Sequence, residues 1–145
     1  SLLLAGKYLS VAQAAEAVLA AMPESGQTLL LGGETTVRVT GGGRGGRNQD
    51  LALRLSLLAE ARDLPHDWVF LSAGTDGRDG PTDAAGAIVD AFTPARIRVA
   101  GTDPVAALAE NDSYPALAAS GDLIRIGATG TNVADLQILM RLAAG

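Results

Sequence analysis

Apolar residues that recur every three or four positions predict helices in several parts of the chain. Ser10 and Gln13 form a capping-box pattern before an alanine-rich run, and Asp103 followed by Pro104 is a typical helix start. The leucines after Asn48 also fit a two-residue period, but the lack of β-branched residues there favours a helix. Helices are therefore predicted at Val11–Met22, from Asn48 to before Pro65, from Pro104 to Asn111, at Tyr114–Ala119 and from Asn132 to Leu142.

Short runs of consecutive apolar or β-branched residues predict the strands. Trp68–Ala73 is the best candidate for a central strand, because it is mostly apolar and runs directly into a polar loop. Thr28–Leu31 and Thr35–Thr40 flank a short Gly-Gly-Glu turn, so we expect these two strands to pair antiparallel. Further strands are predicted at Leu123–Ile126 and, after a helical turn in Ala84–Val89, in the segment that ends at Asp90.

The composition places these elements in one globular domain. The chain has 145 residues, of which 48% are hydrophobic, 18 are glycine and only 3% are aromatic. We predict an α/β fold in which a mixed sheet is flanked by helices in a single compact domain. The net charge of −5 argues against nucleic-acid binding, which needs a basic surface. No apolar run reaches the length of a membrane span, and the absence of cysteine favours a cytoplasmic protein.

A glycine-rich loop joins the second predicted strand to the long leucine-rich helix. Its sequence is Gly41-Gly42-Gly43-Arg44-Gly45-Gly46-Arg47-Asn48-Gln49. Glycine lets backbone N–H groups approach a ligand closely, and a helix N-terminus attracts anions, so the loop predicts a phosphate or carboxylate site. Arg44 and Arg47 are suited to hold such an anion through two parallel hydrogen bonds. A flexible hairpin or linker is the alternative interpretation of the glycines.

An acidic loop follows the predicted central strand and contains Asp76, Asp79 and Asp83. Carboxylates on one loop can bind a hard cation such as Mg²⁺, although aspartate and glycine also fill ordinary turns. A Gly-x-Gly-x-x-Gly pattern occurs in the glycine loop, but no acidic residue about 20 positions later completes a dinucleotide site, and no Walker A motif is present. Phosphoryl transfer is the leading hypothesis, because it needs an anion site and a metal.

Five motifs together resemble the C-terminal domain of the type 2 glycerate kinases, a family domain known as MOFRL whose parent enzymes are often labelled hydroxypyruvate reductases. They occur in the same order as in that family and extend over most of the chain. The motifs are Gly32-Gly33-Glu34-Thr35-Thr36-Val37, Gly43 to Gln49, Gly74 to Gly86, Asn111-Asp112-Ser113-Tyr114 and Thr129 to Leu136.

The resemblance implies an ATP-dependent, Mg²⁺-requiring kinase that converts D-glycerate to 2-phosphoglycerate in a cleft between two α/β domains. It also implies that residues 1–145 are a fragment, and that an N-terminal domain carrying the nucleotide site and a catalytic lysine is missing. The single lysine, Lys7, lies in no such context. We therefore expect the chain alone to lack kinase activity, the glycine loop to be open, and Arg47 to lack its intended partner. The resemblance does not decide whether the protein forms an oligomer.

The family motifs also imply roles for individual residues. Arg47 and Asp76 are expected to be catalytic, Arg47 on a phosphate or the glycerate carboxylate and Asp76 on Mg²⁺ or the substrate hydroxyl. Asp76 and Asp79 are the expected metal ligands, with Asp83 a weaker candidate in the same loop. The residues expected to bind phosphate or substrate are Gly43, Arg44, Gly45, Gly46, Asn48, Thr75 and Asn132.

The sequence departs from the family pattern at three positions, which are Asp50, Arg78 and Ala128. Arg78 places a cation between two carboxylates where the family commonly has an apolar residue, so it is expected to alter metal affinity. Two rival hypotheses remain. The first is an NAD(P)H-dependent reductase, as the family label suggests, and the second is a non-catalytic binding or oligomerisation domain.

Overall fold

The computed structural model describes residues 9–33, 35–36 and 41–143. The helices in this part of the chain are α1 (Val11–Ala20), α2 (Arg47–Ala61), α3 (Thr93–Val99), α4 (Pro104–Ala109) and α5 (Ser113–Ser120). The strands are β1 (Leu9–Ser10), β2 (Thr28–Gly33), β3 (Thr35–Thr36), β4 (Trp68–Gly74), β5 (Gly86–Asp90), β6 (Leu123–Ile124) and β7 (Asp135–Arg141). The predicted α/β class is confirmed.

Five strands form one antiparallel sheet in the order β2-β7-β4-β5-β6, and β1 and β3 form a separate parallel pair. β4 lies in the middle of the large sheet, as predicted for Trp68–Ala73. Within the described residues, the predicted pairing of Thr28–Leu31 with Thr35–Thr40 is not found, because β2 pairs with β7 and β3 pairs with β1. Residues 37–40 of that predicted strand lie outside the described residues.

The C-terminal segment is a strand, and the prediction of a helix from Asn132 to Leu142 is wrong. Its leucine, glutamine and methionine residues have good helix propensity, but β7 forms hydrogen bonds with β2 on one side and β4 on the other. Tertiary pairing therefore overrides local preference. Polar Asp135 and Gln137 occupy buried positions while Leu136 and Met140 are exposed, so the two-residue hydrophobic alternation of a strand is absent from this sequence.

Other sequence predictions agree better with the structure. Ser10 and Gln13 form the predicted capping box at α1, and α2, α4 and α5 begin and end close to the expected positions. Gly121 ends α5 with a φ of 79°, a conformation that glycine adopts without strain. The helical turn predicted in Ala84–Val89 is wrong, because Ala84 and Ala85 precede β5 without one, and the helix α3 was not predicted. α3 has only 7 residues, and its one start signal in the sequence is Pro94 near the first helical position.

The helices lie on one face of the large sheet. α2 packs on β4 and β5, where Phe70, Val89 and Leu139 are at most 1% exposed, and α1 packs on α2. The other face is apolar but open, because Leu30, Ile88 and Met140 are 42–47% exposed. This one-sided packing places the N-terminus of α2 beside the end of β4, where the glycine loop and the acidic loop meet. No described helix is long and apolar enough to span a membrane.

Candidate active site

The glycine loop is fixed against the chain between α4 and α5. Gly43 N donates a hydrogen bond to Glu110 O at 2.9 Å, and Arg44 N donates to Asp112 Oδ1 at 2.8 Å. A Cβ at Gly43 would lie 2.5 Å from Asp112 Cβ, so glycine permits close backbone packing here. Some of the loop's N–H groups therefore already bind acceptors within the chain, while Gly42, Gly43 and Arg44 remain exposed.

The N-terminus of α2 binds an anion, and that anion is the side chain of Asp79. Asn48 N donates to Asp79 Oδ1 at 3.0 Å, and Gln49 N donates to Asp79 Oδ2 at 2.9 Å. The side-chain amides of the same two residues donate to the same oxygens at 3.2 and 2.9 Å. Burial raises the pKa of the Asp79 carboxyl, and these four hydrogen bonds partly offset that effect by stabilising the charged form.

The position of Asp79 also explains why residue 46 of the loop is glycine. A Cβ at Gly46 would lie 2.4–2.5 Å from the carboxylate of Asp79, which is itself only 1% exposed. Asn48 links this group to the sheet, because its Oδ1 accepts a hydrogen bond from Ser72 Oγ of β4 at 2.7 Å. Gly46, Asn48 and Asp79, all predicted site residues, therefore lie together in a buried network that joins α2 to the sheet.

Arg47 is bound by a residue that sequence reasoning did not assign. Its Nε donates to Asp135 Oδ2 at 2.6 Å and its Nη2 donates to Asp135 Oδ1 at 2.9 Å. The Asp135 side chain is fully buried, whereas that of Arg47 is 33% exposed. Arg47 thus has a partner within the chain, and Asp135 orients its guanidinium at the surface. Asp135 belongs to the Thr129 to Leu136 motif, but a helix was predicted there, so its position at the start of β7 was not foreseen.

The acidic loop is tied to the segment before β7. Thr75 Oγ1 donates to Ala134 O at 2.7 Å and accepts a hydrogen bond from Val133 N at 2.9 Å. Asn132 does not begin a helix as predicted, and its Oδ1 instead accepts a hydrogen bond from Ala134 N at 3.2 Å. Ala134 has a φ of 70°, which is unusual for a residue with a side chain, and these contacts fix it. Thr75 and Asn132 therefore shape the loops around the site.

Asp76 faces a cleft of about 480 Å³. Its Oδ1 accepts a hydrogen bond from Arg78 N at 3.0 Å, which is an ordinary turn contact. The residues that line the cleft are Asp76, Gly77, Arg78, Thr82, Asp83, Gly127 and Ala128. Asp76 and Asp79 are thus on one loop but in different places, the first at the cleft and the second beneath the glycine loop. Within the described residues, no three His, Cys, Asp or Glu side chains are close enough to bind a metal together.

A second buried carboxylate stabilises the same region from α2. Asp50 Oδ2 accepts a hydrogen bond from Asn111 Nδ2 at 3.0 Å, and Asp50 Oδ1 accepts one from Ser113 Oγ. Burial raises the pKa of Asp50, and the bonds from Ser113 and Asn111 act in the opposite direction. The Asn111-Asp112-Ser113-Tyr114 motif therefore binds the glycine loop through Asp112 and α2 through Asp50.

Residues 27–135 match the model of the MOFRL family. The chain belongs to the MOFRL family. It is 53% identical over 110 residues to D-glycerate 2-kinase of Thermotoga maritima, covering 76% of this chain and 26% of that protein. It is 49% identical over 117 residues to glycerate kinase of Homo sapiens, covering 77% of this chain and 22% of that protein.

Solved structures show the same MOFRL fold within longer chains. The crystal structure of glycerate kinase from Thermotoga maritima matches with a TM-score of 0.85 and 41% identity, over 98% of this chain and 34% of that one. The crystal structure of the PH0495 protein from Pyrococcus horikoshii matches with a TM-score of 0.80 and 34% identity, over 99% of this chain and 33% of that one. This MOFRL chain therefore spans about a quarter of the curated relatives and a third of the solved ones.

Proposed function

We propose that this MOFRL domain forms one wall of the active site of an ATP-dependent glycerate 2-kinase, which phosphorylates D-glycerate to 2-phosphoglycerate. The observation that carries the proposal is the cleft beside Asp76, in a chain similar to proteins named glycerate kinase. Phosphoryl transfer depends on positioning two anionic reactants and stabilising their charge. The cleft supports this chemistry, because Asp76, Asp83 and the cation of Arg78 all line it.

Asp76 is the residue that fits a Mg²⁺ ligand. It lines the cleft, and within the described residues only one of its carboxylate oxygens accepts a hydrogen bond from the chain. Mg²⁺ usually binds through one or two carboxylates, waters and substrate phosphates, so a single aspartate suits it better than an all-protein cage would. Bound there, the ion would stabilise charge on the phosphates of ATP. Both oxygens of Asp79 already accept hydrogen bonds, which argues against direct coordination by Asp79.

We assign Arg47 the contact with the phosphate or with the glycerate carboxylate. Asp135 holds its guanidinium by two hydrogen bonds while a third of the side chain remains exposed. A guanidinium oriented in this way does not have to be ordered again when an anion binds. Gly43, Arg44 and Gly45 extend this surface, whereas Gly46, Asn48, Thr75 and Asn132 act by fixing the two loops.

The reductase hypothesis is weaker on the same geometry. A dinucleotide site places the pyrophosphate at a helix N-terminus that follows a strand of a parallel sheet. In this structure the N-terminus of α2 binds Asp79, and the large sheet is antiparallel. Thermal shift with glycerate, ATP with Mg²⁺, and NADH separates the hypotheses, because a ligand raises the melting temperature only if it binds the native state. We expect no shift with NADH, and stabilisation by NADH alone would favour the reductase.

The proposal includes a further domain that carries the nucleotide site. The chain spans only 26% of the D-glycerate 2-kinase that it matches, and its open sheet face exposes apolar residues that another part of a longer polypeptide would cover. A cytoplasmic location, suggested by the lack of cysteine, belongs to the same proposal.

A coupled assay of ADP release tests whether this domain needs a further domain for kinase activity. The 145-residue chain with glycerate and ATP should show no turnover. A polypeptide that joins it to the remaining domains of a glycerate kinase should be active. Turnover by the 145-residue chain would refute the need for a second domain.

A further inference from the structure

Residues 126–134, which we call the strap, lie between β6 and β7 and form one wall of the cleft. They belong to no helix or strand. Gly127 and Ala128 line the cleft together with Asp76 of the acidic loop. The strap also lies directly against Gly77 of that loop, because a Cβ at Gly77 would overlap Gly127 O. The cleft of about 480 Å³ therefore depends on the position of the strap against the acidic loop.

Packing does not hold the strap in this position. Residues 126–133 are all exposed, and the apolar side chains of Ile126 and Val133 are 61% and 74% exposed. A segment that has few buried apolar contacts and solvent-exposed hydrogen bonds opens at a small cost in free energy. The strap has both properties.

The hydrogen bonds that hold the strap converge on two neighbouring residues. Within the described residues, every hydrogen bond from the strap to the rest of the chain goes to Thr75 or Asp76. Thr75 Oγ1 donates to Ala134 O at 2.7 Å and accepts from Val133 N at 2.9 Å. Thr75 N donates to Ala134 O at 3.0 Å, and Thr75 O accepts from Thr129 Oγ1 at 2.5 Å. Thr129 N donates to Asp76 O at 3.4 Å.

The two ends of the strap have the backbone conformations of hinges. Gly127 and Ala134 both have a φ of 70°, which glycine adopts without strain and alanine does not. Beyond them the chain enters β6 and β7, which are fixed by pairing with β5 and β4. Release of the Thr75 bonds would let Ala134 leave its strained conformation, and this relief offsets part of the cost of losing them.

We propose that the strap opens and closes over the cleft as a unit, that Thr75 is its latch, and that a ligand bound beside Asp76 closes it. A ligand shifts such an equilibrium only if it binds one position more tightly than the other. A molecule in the cleft meets this condition, because only the latched strap places Gly127 and Ala128 against it.

Closure also excludes water from the cleft, which favours phosphoryl transfer to a hydroxyl group over hydrolysis of ATP. The inference rests on the proposed kinase function for the identity of the ligand. The opening of the strap rests on its own contacts and is tested without a ligand.

The latch is tested by NMR measurement of amide-proton exchange with water in the ¹⁵N-labelled 145-residue chain. Thr75→Val keeps the shape of the side chain but removes the hydroxyl group, so the Val133 amide loses its acceptor. The exchange rate of this amide should rise by about threefold to tenfold. The Thr129 amide should accelerate with it, although its own acceptor is Asp76 O, because the strap opens as a unit.

Two further substitutions of threonine control for the change of side chain. Thr75→Ser keeps the hydroxyl group and should restore slow exchange at Val133 and Thr129. Thr131→Val makes the same chemical change within the strap. It should leave both rates unchanged, because within the described residues Thr131 forms hydrogen bonds only through its backbone.

A second variant displaces the strap from the acidic loop. Gly77→Ala places a methyl group against Gly127 O, so it should accelerate exchange at Val133 as Thr75→Val does. Gly101→Ala is the matched control for backbone strain. Gly101 has a φ of 91°, close to the 85° of Gly77, but nothing lies within 4 Å of a Cβ there. This variant should leave the strap unchanged.

Closure by a ligand is tested in the original chain with 2-phosphoglycerate and with ADP and Mg²⁺. Binding is followed through the amide shifts of Asp76 and Gly77, and closure through the exchange rate at Val133. A probe that binds should slow this exchange by about twofold or more.

The outcomes separate the strap from the kinase proposal. If Thr75→Val accelerates exchange at Val133 but not at Thr129, the strap does not open as a unit and the inference is refuted. If a probe shifts the amides of the acidic loop without slowing exchange in the strap, closure by a ligand is refuted. If Thr75→Val and Gly77→Ala both loosen the strap but neither probe binds, the latch is supported and the kinase proposal loses support.

Discussion

Asp76 and Asp79 lie three positions apart on one loop and have opposite environments. Asp79 is 1% exposed and accepts four hydrogen bonds from Asn48 and Gln49 at the N-terminus of α2. Asp76 lines an open cleft, and within the described residues it accepts one hydrogen bond, from Arg78 N. The same residue type in the same glycine-rich stretch therefore serves as an internal anion in one case and faces solvent in the other.

This difference shows that a helix N-terminus can bind a carboxylate of its own chain instead of an external anion. The glycine loop has the features of a phosphate site, yet the backbone N–H groups of Asn48 and Gln49 bind a carboxylate of the chain. The glycines allow the close approach that this requires, as Gly46 shows. We therefore propose that the chemistry takes place beside this network, at Arg47 and at the cleft of Asp76.

Replacing the two aspartates by alanine is expected to give the largest effect and to sharpen the comparison. Asp79→Ala leaves several buried N–H donors without an acceptor, so the free energy of unfolding should fall by about 3–5 kcal/mol. Asp76→Ala should cost less than about 1 kcal/mol, because the side chain makes only a turn contact. Urea denaturation measures both values, and equal losses would remove the distinction between the two residues.

The second prediction concerns the glycine that contacts Asp79. A methyl group at Gly46 would overlap the Asp79 carboxylate, so Gly46→Ala should destabilise the fold by about 1–3 kcal/mol. Gly42→Ala is the matched control, because nothing lies within 4 Å of a Cβ at Gly42. Thermal unfolding of the two variants measures the difference. A Gly46 variant as stable as the Gly42 variant would show that the loop adjusts and that Asp79 is not tightly enclosed.

The third prediction concerns the ion pair of Arg47. Asp135→Asn keeps the size of the side chain but removes the charge that orients the guanidinium, and should lower the unfolding free energy by about 1–2 kcal/mol. The Arg47 Nε–H signal should also shift in an NMR spectrum, since its acceptor is Asp135 Oδ2. An unchanged signal would show that Asp135 does not hold Arg47 in solution.

The smallest expected effect comes from an ion pair outside both loops, which provides a baseline. Arg98 holds the pKa of Glu60 below its ordinary value of 4.5. The stability from this pair is therefore present above that value and lost as the pH falls through the lowered pKa of the folded state. Glu60→Gln should cost about 0.2–1 kcal/mol at neutral pH and nothing in strong acid. Urea titrations at both pH values measure this, and a loss that persists in acid would contradict the charge assignment.

Local signals in the sequence predicted much of the fold. The capping box at Ser10 and the apolar run of β4 depend on neighbouring residues, and both are present. β7 could not be predicted in this way, because its strand conformation depends on pairing with β2 and β4, which are distant in sequence.

The family resemblance named the loops of the candidate site, but it did not predict their contacts. Motif resemblance identified the loops that contain Arg47 and Asp76. The partners Asp135 and Asp79 lie 88 and 31 positions from Arg47 and Asn48, so only the folded chain brings them together. The spacing of the three aspartates likewise gave no sign of which one is buried.

The most direct test of the separate roles is the kcat of Asp76→Asn in a polypeptide that joins this domain to the remaining domains of a glycerate kinase. Asparagine keeps the turn contact with Arg78 N but removes the charge at the cleft. We predict that kcat for glycerate phosphorylation falls by about a hundredfold or more. The unfolding free energy should change by less than about 1 kcal/mol. A variant that keeps its kcat within about twofold would contradict the assignment of Asp76 to the active site.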